Sequence, residues 1–105
     1  MNAPEPTVRV SMVATMMLIR AHEERLASLA SPTAPGTCTA VGQEAAAVGV
    51  VRALQPRDRI LTNHRSAGHL LARGADSGRL IALGLSHRSN LFDRKPVDRR
   101  IFIYR

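Results

Sequence analysis

The sequence predicts a mainly helical chain with one short central strand and a short strand-like segment in its tail. Two segments, residues 8–30 and 43–54, are apolar at helical spacing. Before the tail, only residues 59–62 form the kind of apolar, β-branched run that is typical of a strand. At 105 residues the chain is long enough for one small domain and too short for two.

The first helix is predicted over residues 8–30, with Thr7 as its N-cap. Val13 and Met17 follow the four-residue step of one helix face, and the apolar residues around them indicate that more than one face is covered. The mixed charged run at residues 22–25 is expected to be solvated.

A loop of small residues is predicted at 31–39, because two prolines and a glycine interrupt the first helix. This loop holds Cys38, the only cysteine, so an intramolecular disulfide and a multi-cysteine metal site are excluded. No paired histidine and acid lie close to Cys38 in sequence. The pattern therefore favours a buried or tolerated thiol over a nucleophile.

The second helix is predicted over residues 43–54, and Glu44 in its first turn complements the positive end of the helix dipole. The body of this helix consists of small apolar residues on every side, which is typical of a fully buried helix. A chain of this length has little material with which to surround such a helix. The sequence therefore indicates a larger assembly.

A polar turn separates the predicted strand from the third helix. It carries Asn63, His64, Arg65 and Ser66, and His69 follows within the helix. The free N–H groups of a helix start and a neighbouring arginine attract anions, so these residues form a candidate phosphate or diphosphate site. On chemistry alone the preferred interpretation is simpler. It is a helix capped by Asn63 or Ser66 with solvated charges around it.

Turns and caps divide the remaining chain. Residues 55–58 are predicted to form the turn that ends the second helix. Gly74 is expected to close the third helix as its C-terminal cap. Asp76 is expected to cap a fourth helix that runs to residue 83.

The tail differs from the rest of the chain in charge and in aromatic content. Residues 1–81 hold nine arginines and six acids, whereas residues 82–105 hold six basic residues and only two aspartates. All three aromatic residues lie in the last fourteen positions. This composition supports an alternative function, a small basic protein that binds nucleic acid or another acidic partner through its tail. No recognition-helix, zinc or RNA-binding signature accompanies it, and nucleic acid is not the expected partner.

The sequence favours a soluble, cytoplasmic protein. The apolar run at residues 8–21 is interrupted by polar and charged residues and is too short to cross a bilayer. The acidic first residues do not resemble a secretory signal.

Three segments carry a family resemblance: residues 16–26 (MMLIRAHEERL), 42–50 (GQEAAAVGV) and 63–74 (NHRSAGHLLARG). Their order and spacing resemble the N-terminal part of the alpha subunit of thiamine-diphosphate-dependent 2-oxoacid dehydrogenases. These are the first components of the pyruvate, branched-chain and acetoin dehydrogenase complexes. The resemblance covers roughly residues 8–83.

The resemblance implies a large α/β cofactor-binding fold in an alpha–beta heterotetramer, with thiamine diphosphate held between subunits. It implies oxidative decarboxylation of a 2-oxo acid, with transfer to the lipoyl group of a partner acyltransferase. In the family an aromatic–arginine pair contacts the diphosphate, and His64 and Arg65 occupy that place. Arg65 is then the main diphosphate ligand, with His64 and His69 as secondary donors. The activating carboxylate lies on the beta subunit, so no catalytic residue is assigned here.

The sequence also departs from the family. The Gly-Asp-Gly motif and downstream asparagine that hold Mg²⁺ on the diphosphate are absent. The loop before Gly42 lacks the aromatic and histidine residues of pyruvate-type relatives, which leaves the 2-oxo acid open. We expect residues 1–83 to belong to the cofactor-binding domain and residues 84–105 to be a divergent basic tail. The expected protein is a truncated or frame-shifted alpha subunit that is inactive alone.

Overall fold

The computed structural model describes residues 2–29, 40–62, 65–85 and 101–103. In chain order the elements are α1 (Pro6–Leu29), α2 (Glu44–Ala53), β1 (Ile60–Thr62), α3 (Ala67–Ala72), α4 (Ser77–Leu85) and β2 (Ile101–Ile103). The predicted class is confirmed, because helices dominate and the two short strands lie where the sequence places them.

The core forms where α1, α2, α3 and α4 meet. Its buried members are aliphatic: Ile19, Ala47, Val48, Leu70, Leu71 and Leu80. Since aliphatic side chains bury less area than aromatic ones, the core gains its stability from close packing of helices rather than from large side chains.

Gly68 permits a close approach of helices in this core. A Cβ atom at its position would lie 3.1 Å from the Cβ of Ala47 and 3.4 Å from Cγ2 of Ile19. The start of α3 therefore packs directly on α1 and α2. This contact fixes where the residues just before and just after Gly68 lie.

The two strands pair in parallel, with Ile60 opposite Ile101 and Thr62 opposite Ile103. A parallel pair requires a long crossover connection, and α3 and α4 lie within it. The strand-like end of the tail thus returns to lie beside β1.

The first helix differs from its prediction in two respects. It begins at Pro6, so Thr7 lies inside the first turn rather than at the cap. Proline suits the first helical position because its φ is already helical and its missing N–H has no partner there. The expected solvation of residues 22–25 is wrong for His22 and Glu23, which are only 3% and 1% exposed. They lie on the inner stripe of α1 that also carries Leu26.

The second helix is not buried on every side within this chain. Its inner face buries Glu44, Ala47, Val48 and Val51, while Val50 on the other face is 48% exposed. The expectation of complete burial is therefore wrong for the described residues, because α1 and α3 cover only one side of α2.

The predicted turn at residues 55–58 and the caps at Gly74 and Asp76 are confirmed, whereas the caps predicted at Thr7 and at Ser66 are not. Gly74 has φ +98°, the left-handed conformation of a helix C-terminal cap. The carboxylate of Asp76 accepts a hydrogen bond of 2.7 Å from the backbone N–H of Arg79 at the start of α4. The turn at residues 55–58 closes with a 2.9 Å backbone bond from Asp58 to Gln55. Ser66 precedes α3, but its hydroxyl makes no capping bond, and Asn63 lies outside the described residues.

Candidate functional site

A small cavity of about 40 Å³ lies at the junction of α1, α2 and α3. We call it the junction pocket. Its lining residues are Ile19, Ala40, Gln43, Ala46, Ala47, Arg65, Gly68 and His69. Three of the eight are polar or charged, and the others are small or aliphatic. Two of the three predicted site residues, Arg65 and His69, are therefore brought together at one pocket.

The third predicted site residue, His64, lies outside the described residues. Its expected role as a secondary donor beside Arg65 stays a prediction. Cys38 also lies outside them, as does most of the basic tail on which the nucleic-acid alternative depends.

His69, which lines the pocket, carries an unpartnered polar atom. Its Nδ1 atom is buried and makes no hydrogen bond within the described part of the chain. Burial lowers the pKa of His69 below its usual value, because a charged imidazolium is poorly solvated there. The ring is therefore neutral at neutral pH and carries a single N–H. In the tautomer that carries this proton on Nδ1, Nδ1 would donate a hydrogen bond to an oxygen atom of a ligand.

Arg65 places a positive charge at the same pocket, with its side chain exposed to solvent. It directly precedes Ser66 and α3, whose packing through Gly68 fixes the backbone at this point. Helix α3 has only six residues, so its dipole adds little. Attraction of an anion would therefore depend on the guanidinium of Arg65, which can contact two phosphate oxygens at once.

A bidentate ion pair between α1 and α2 was not predicted from the sequence. Nε of Arg20 donates to Oε1 of Glu44 at 2.5 Å, and its Nη2 donates to Oε2 at 3.2 Å. The hydrogen bond from Arg20 is the main cause that lowers the pKa of Glu44 to about 2. The sequence assigned Glu44 only a role at the helix dipole. The two residues are 24 positions apart, and no local pattern joins them.

Glu23 is the second unpredicted group near the pocket. Its Oε2 atom is buried and has no hydrogen-bond partner among the described residues. Burial raises the pKa of Glu23, and the charge of Glu44 adds to this, while a hydrogen bond from the backbone of Ala40 opposes it. Since Ala40 lines the junction pocket, Glu23 contacts the backbone of one pocket residue. The only sequence signal for burial of Glu23 was its place four residues after Ile19, on the same face of the helix.

His22 joins α1 to α4 rather than to the pocket. Its Nδ1 lies 2.8 Å from Oγ of Ser77, and burial lowers the pKa of His22 below its usual value. The pair satisfies two polar groups at a helix contact. We assign it a structural role.

The donor set of the junction pocket fits an anion and does not fit a metal ion. Arg65 and His69 offer N–H donors, whereas Mg²⁺ needs carboxylate and carbonyl oxygens. Across residues 2–29, 40–62, 65–85 and 101–103, no group of three or more His, Cys, Asp or Glu side chains is placed to hold a metal. The same residues include no helix that is both long and apolar enough to span a membrane.

Comparison with known proteins identifies relatives of this chain. It is 43% identical over 83 residues to the pyruvate dehydrogenase E1 component subunit alpha of Zymomonas mobilis, a match that covers 69% of this chain and 23% of that protein. It is 34% identical over 89 residues to the protein of the same name from Rhizobium meliloti, covering 83% of this chain and 26% of that protein. The chain thus spans about a quarter of the length of these curated relatives. No solved structure matches it.

The family described as the dehydrogenase E1 component matches residues 13–99. The match includes the three segments that carry the resemblance, and it continues past the boundary predicted at residue 83. Since it covers most of the sequence, the chain belongs to the dehydrogenase E1 component family.

Proposed function

We propose that this chain is the N-terminal part of the alpha subunit of a thiamine-diphosphate-dependent 2-oxoacid dehydrogenase. In this proposal the junction pocket is one wall of the site that binds the cofactor diphosphate. The observation that carries it is the unpartnered, buried Nδ1 of His69 in a pocket that Arg65 also lines. The names of the two relatives support the same subunit and favour pyruvate as the 2-oxo acid.

Four of the eight pocket residues have a part in holding the diphosphate. Arg65 contacts two phosphate oxygens, and His69 donates a hydrogen bond through Nδ1. The side-chain amide of Gln43 is a further donor. Gly68 has no side chain, so the ligand approaches the backbone closely. His64 remains a proposed secondary donor. When bound, thiamine diphosphate supplies the carbanion chemistry, and these residues supply binding and orientation.

The junction pocket is only part of a site. A cavity of about 40 Å³ has room for one or two water molecules and not for the whole cofactor. The rest of the site, including the activating carboxylate, is assigned to a beta subunit, and the acceptor to a lipoyl-bearing acyltransferase. The described residues do not fit Mg²⁺, and none of them is assigned to this metal. The chain alone is therefore proposed to be inactive.

We further propose that residues 1–83 belong to the cofactor-binding domain. Because the family match runs on to residue 99, residues 84–105 are proposed to be a basic extension without a domain of its own rather than a tail unrelated to the family. Pairing of β2 with β1 attaches the end of the tail to the rest of the chain.

Inorganic pyrophosphate, titrated into the full chain at low ionic strength and followed by ³¹P NMR, tests the diphosphate proposal. Two charge-assisted contacts predict a Kd of about 1 mM. Replacing Arg65 with methionine is expected to weaken binding at least about tenfold, since it removes the bidentate donor. Arg57→Met is the matched control. It removes the same charge from the exposed turn after α2 and should leave Kd within about twofold.

Three results would contradict the proposal. Equal loss of affinity in both arginine variants would show attraction to net charge alone. Absence of binding by the unmodified chain would exclude a diphosphate surface. Binding of thiamine diphosphate tighter than about 1 µM would show a complete site rather than one wall. Salt-dependent DNA binding without pyrophosphate binding would favour the basic-tail alternative instead.

A further inference from the structure

The turn that leads into α2 supplies two residues of the junction pocket. Ala40 and Gln43 both line the pocket, and a 3.0 Å backbone bond from Gln43 to Ala40 closes the turn between them. Gly42 within this turn has φ +91°, a conformation that side chains other than glycine rarely adopt. The shape of the pocket therefore depends on what holds this turn.

The carboxylate of Glu44 holds the turn from one side. Its Oε1 atom accepts a hydrogen bond of 3.1 Å from the backbone N–H of Gly42. The same atom accepts the 2.5 Å bond from Nε of Arg20. One oxygen atom thus connects the turn to α1, the longest of the described helices.

Arg20 fixes the orientation of that carboxylate. Its guanidinium contacts both oxygens of Glu44 in the two-bond geometry that specifies direction as well as distance. The Glu44 side chain is only 7% exposed, whereas that of Arg20 is 45% exposed. Neither residue lines the pocket.

We propose that Arg20 and Glu44 are positioning residues for the junction pocket. Arg20 orients the carboxylate of Glu44, which holds the N–H of Gly42 and so sets Ala40 and Gln43 in the pocket wall. This inference rests on the proposed function, because it takes the pocket to be the place where a diphosphate binds. Neither residue contacts the ligand.

Because Glu44 is negatively charged, its replacement distinguishes a positioning role from a purely electrostatic effect on anion binding. Removing a negative charge near an anion site strengthens binding if charge alone acts. Removing a residue that holds the pocket wall weakens binding. Glu44→Ala therefore gives opposite results for the two explanations.

The experiment measures the Kd of inorganic pyrophosphate by ³¹P NMR in the full chain and five variants, with thermal unfolding of each as a second readout. We expect Glu44→Ala and Arg20→Met each to weaken binding about fivefold, and the double variant to bind no more weakly than either one. Glu44→Gln retains an acceptor for Gly42 and should recover part of the affinity. All measurements are made at temperatures where each variant is folded.

Arg25→Met is the matched control, because it removes the same charge from an exposed position on the same helix. It should leave Kd within about twofold. A tighter Kd in Glu44→Ala, an unchanged Kd in both single variants, or additive losses in the double variant would overturn the inference while leaving the proposed function intact. Failure of the unmodified chain to bind pyrophosphate would overturn both.

Discussion

Replacing Ile19 with alanine is expected to lower the free energy of unfolding by about 2–5 kcal/mol. Ile19 is 1% exposed and lies where α1 meets both α2 and α3. The loss combines the transfer energy of the removed methyl and methylene groups with the cost of the void that they leave. Urea unfolding followed by circular dichroism measures the change.

The void would open next to the junction pocket, which Ile19 also lines. Leu18→Ala is the control, since Leu18 is its neighbour on the same helix and is 46% exposed. That variant should lose less than about 1 kcal/mol. Equal losses in the two variants would contradict the assignment of Ile19 to the centre of the core.

Replacing Glu23 with glutamine is expected to raise the free energy of unfolding at neutral pH by about 1–3 kcal/mol. Its buried Oε2 atom has no partner among the described residues, and the charge of Glu44 repels the ionised form. A neutral amide of the same shape removes the buried charge and keeps an oxygen acceptor for the backbone of Ala40. Chemical unfolding at pH 7 measures the gain.

The pH dependence of stability gives a second test of Glu23. Because its pKa is raised in the folded state, folding favours the protonated acid. Stability should therefore fall as the pH rises from the ordinary value of 4.5 through the raised pKa. This fall should be absent in Glu23→Gln. Glu24→Gln, which changes the adjacent exposed acid, should keep it, and a fall of equal size in all three proteins would contradict the prediction.

Glu44 changes folding stability with pH in the opposite direction to Glu23, and it does so at lower pH. Its pKa falls from 4.5 to about 2 in the folded chain. The stability that its ionised form contributes is fully present above pH 4.5 and is lost as the pH falls from there towards 2. Unfolding above pH 4.5 consequently excludes the contribution of Glu44. The lowered pKa values of His22 and His69 make stability rise with pH below 6.5, so the contribution of Glu23 is taken as the difference between the unmodified chain and Glu23→Gln.

Local features of the fold were predictable because each depends on residues close together in sequence. Pro6 and Leu29 bound the first helix within two residues of its prediction, and Asp76 and Gly74 cap helices as expected. The strand at Ile60–Thr62 follows from its short β-branched run. The family likewise followed from short ordered segments, which the match over residues 13–99 confirms.

Burial along α1 was not predictable in the same way. Residues 22–25 read as a solvated charged run, yet two of the four are buried. The helical period says which residues share a face, and it does not say how far the neighbouring helices extend along that face. The burial of His22 and Glu23 depends on where α4 and the turn at Ala40 lie.

The sequence by itself determined the helical class, the places where elements begin and end, and the basic and polar residues that make an anion site chemically reasonable. The tertiary structure alone decided that Arg65 and His69 line one pocket and that Arg20 pairs with Glu44. Helix and turn formation depend on interactions within a few residues. Ion pairs and pockets depend instead on which helix faces pack together. In this chain Gly68 allows α3 to pack directly on Ile19 and Ala47.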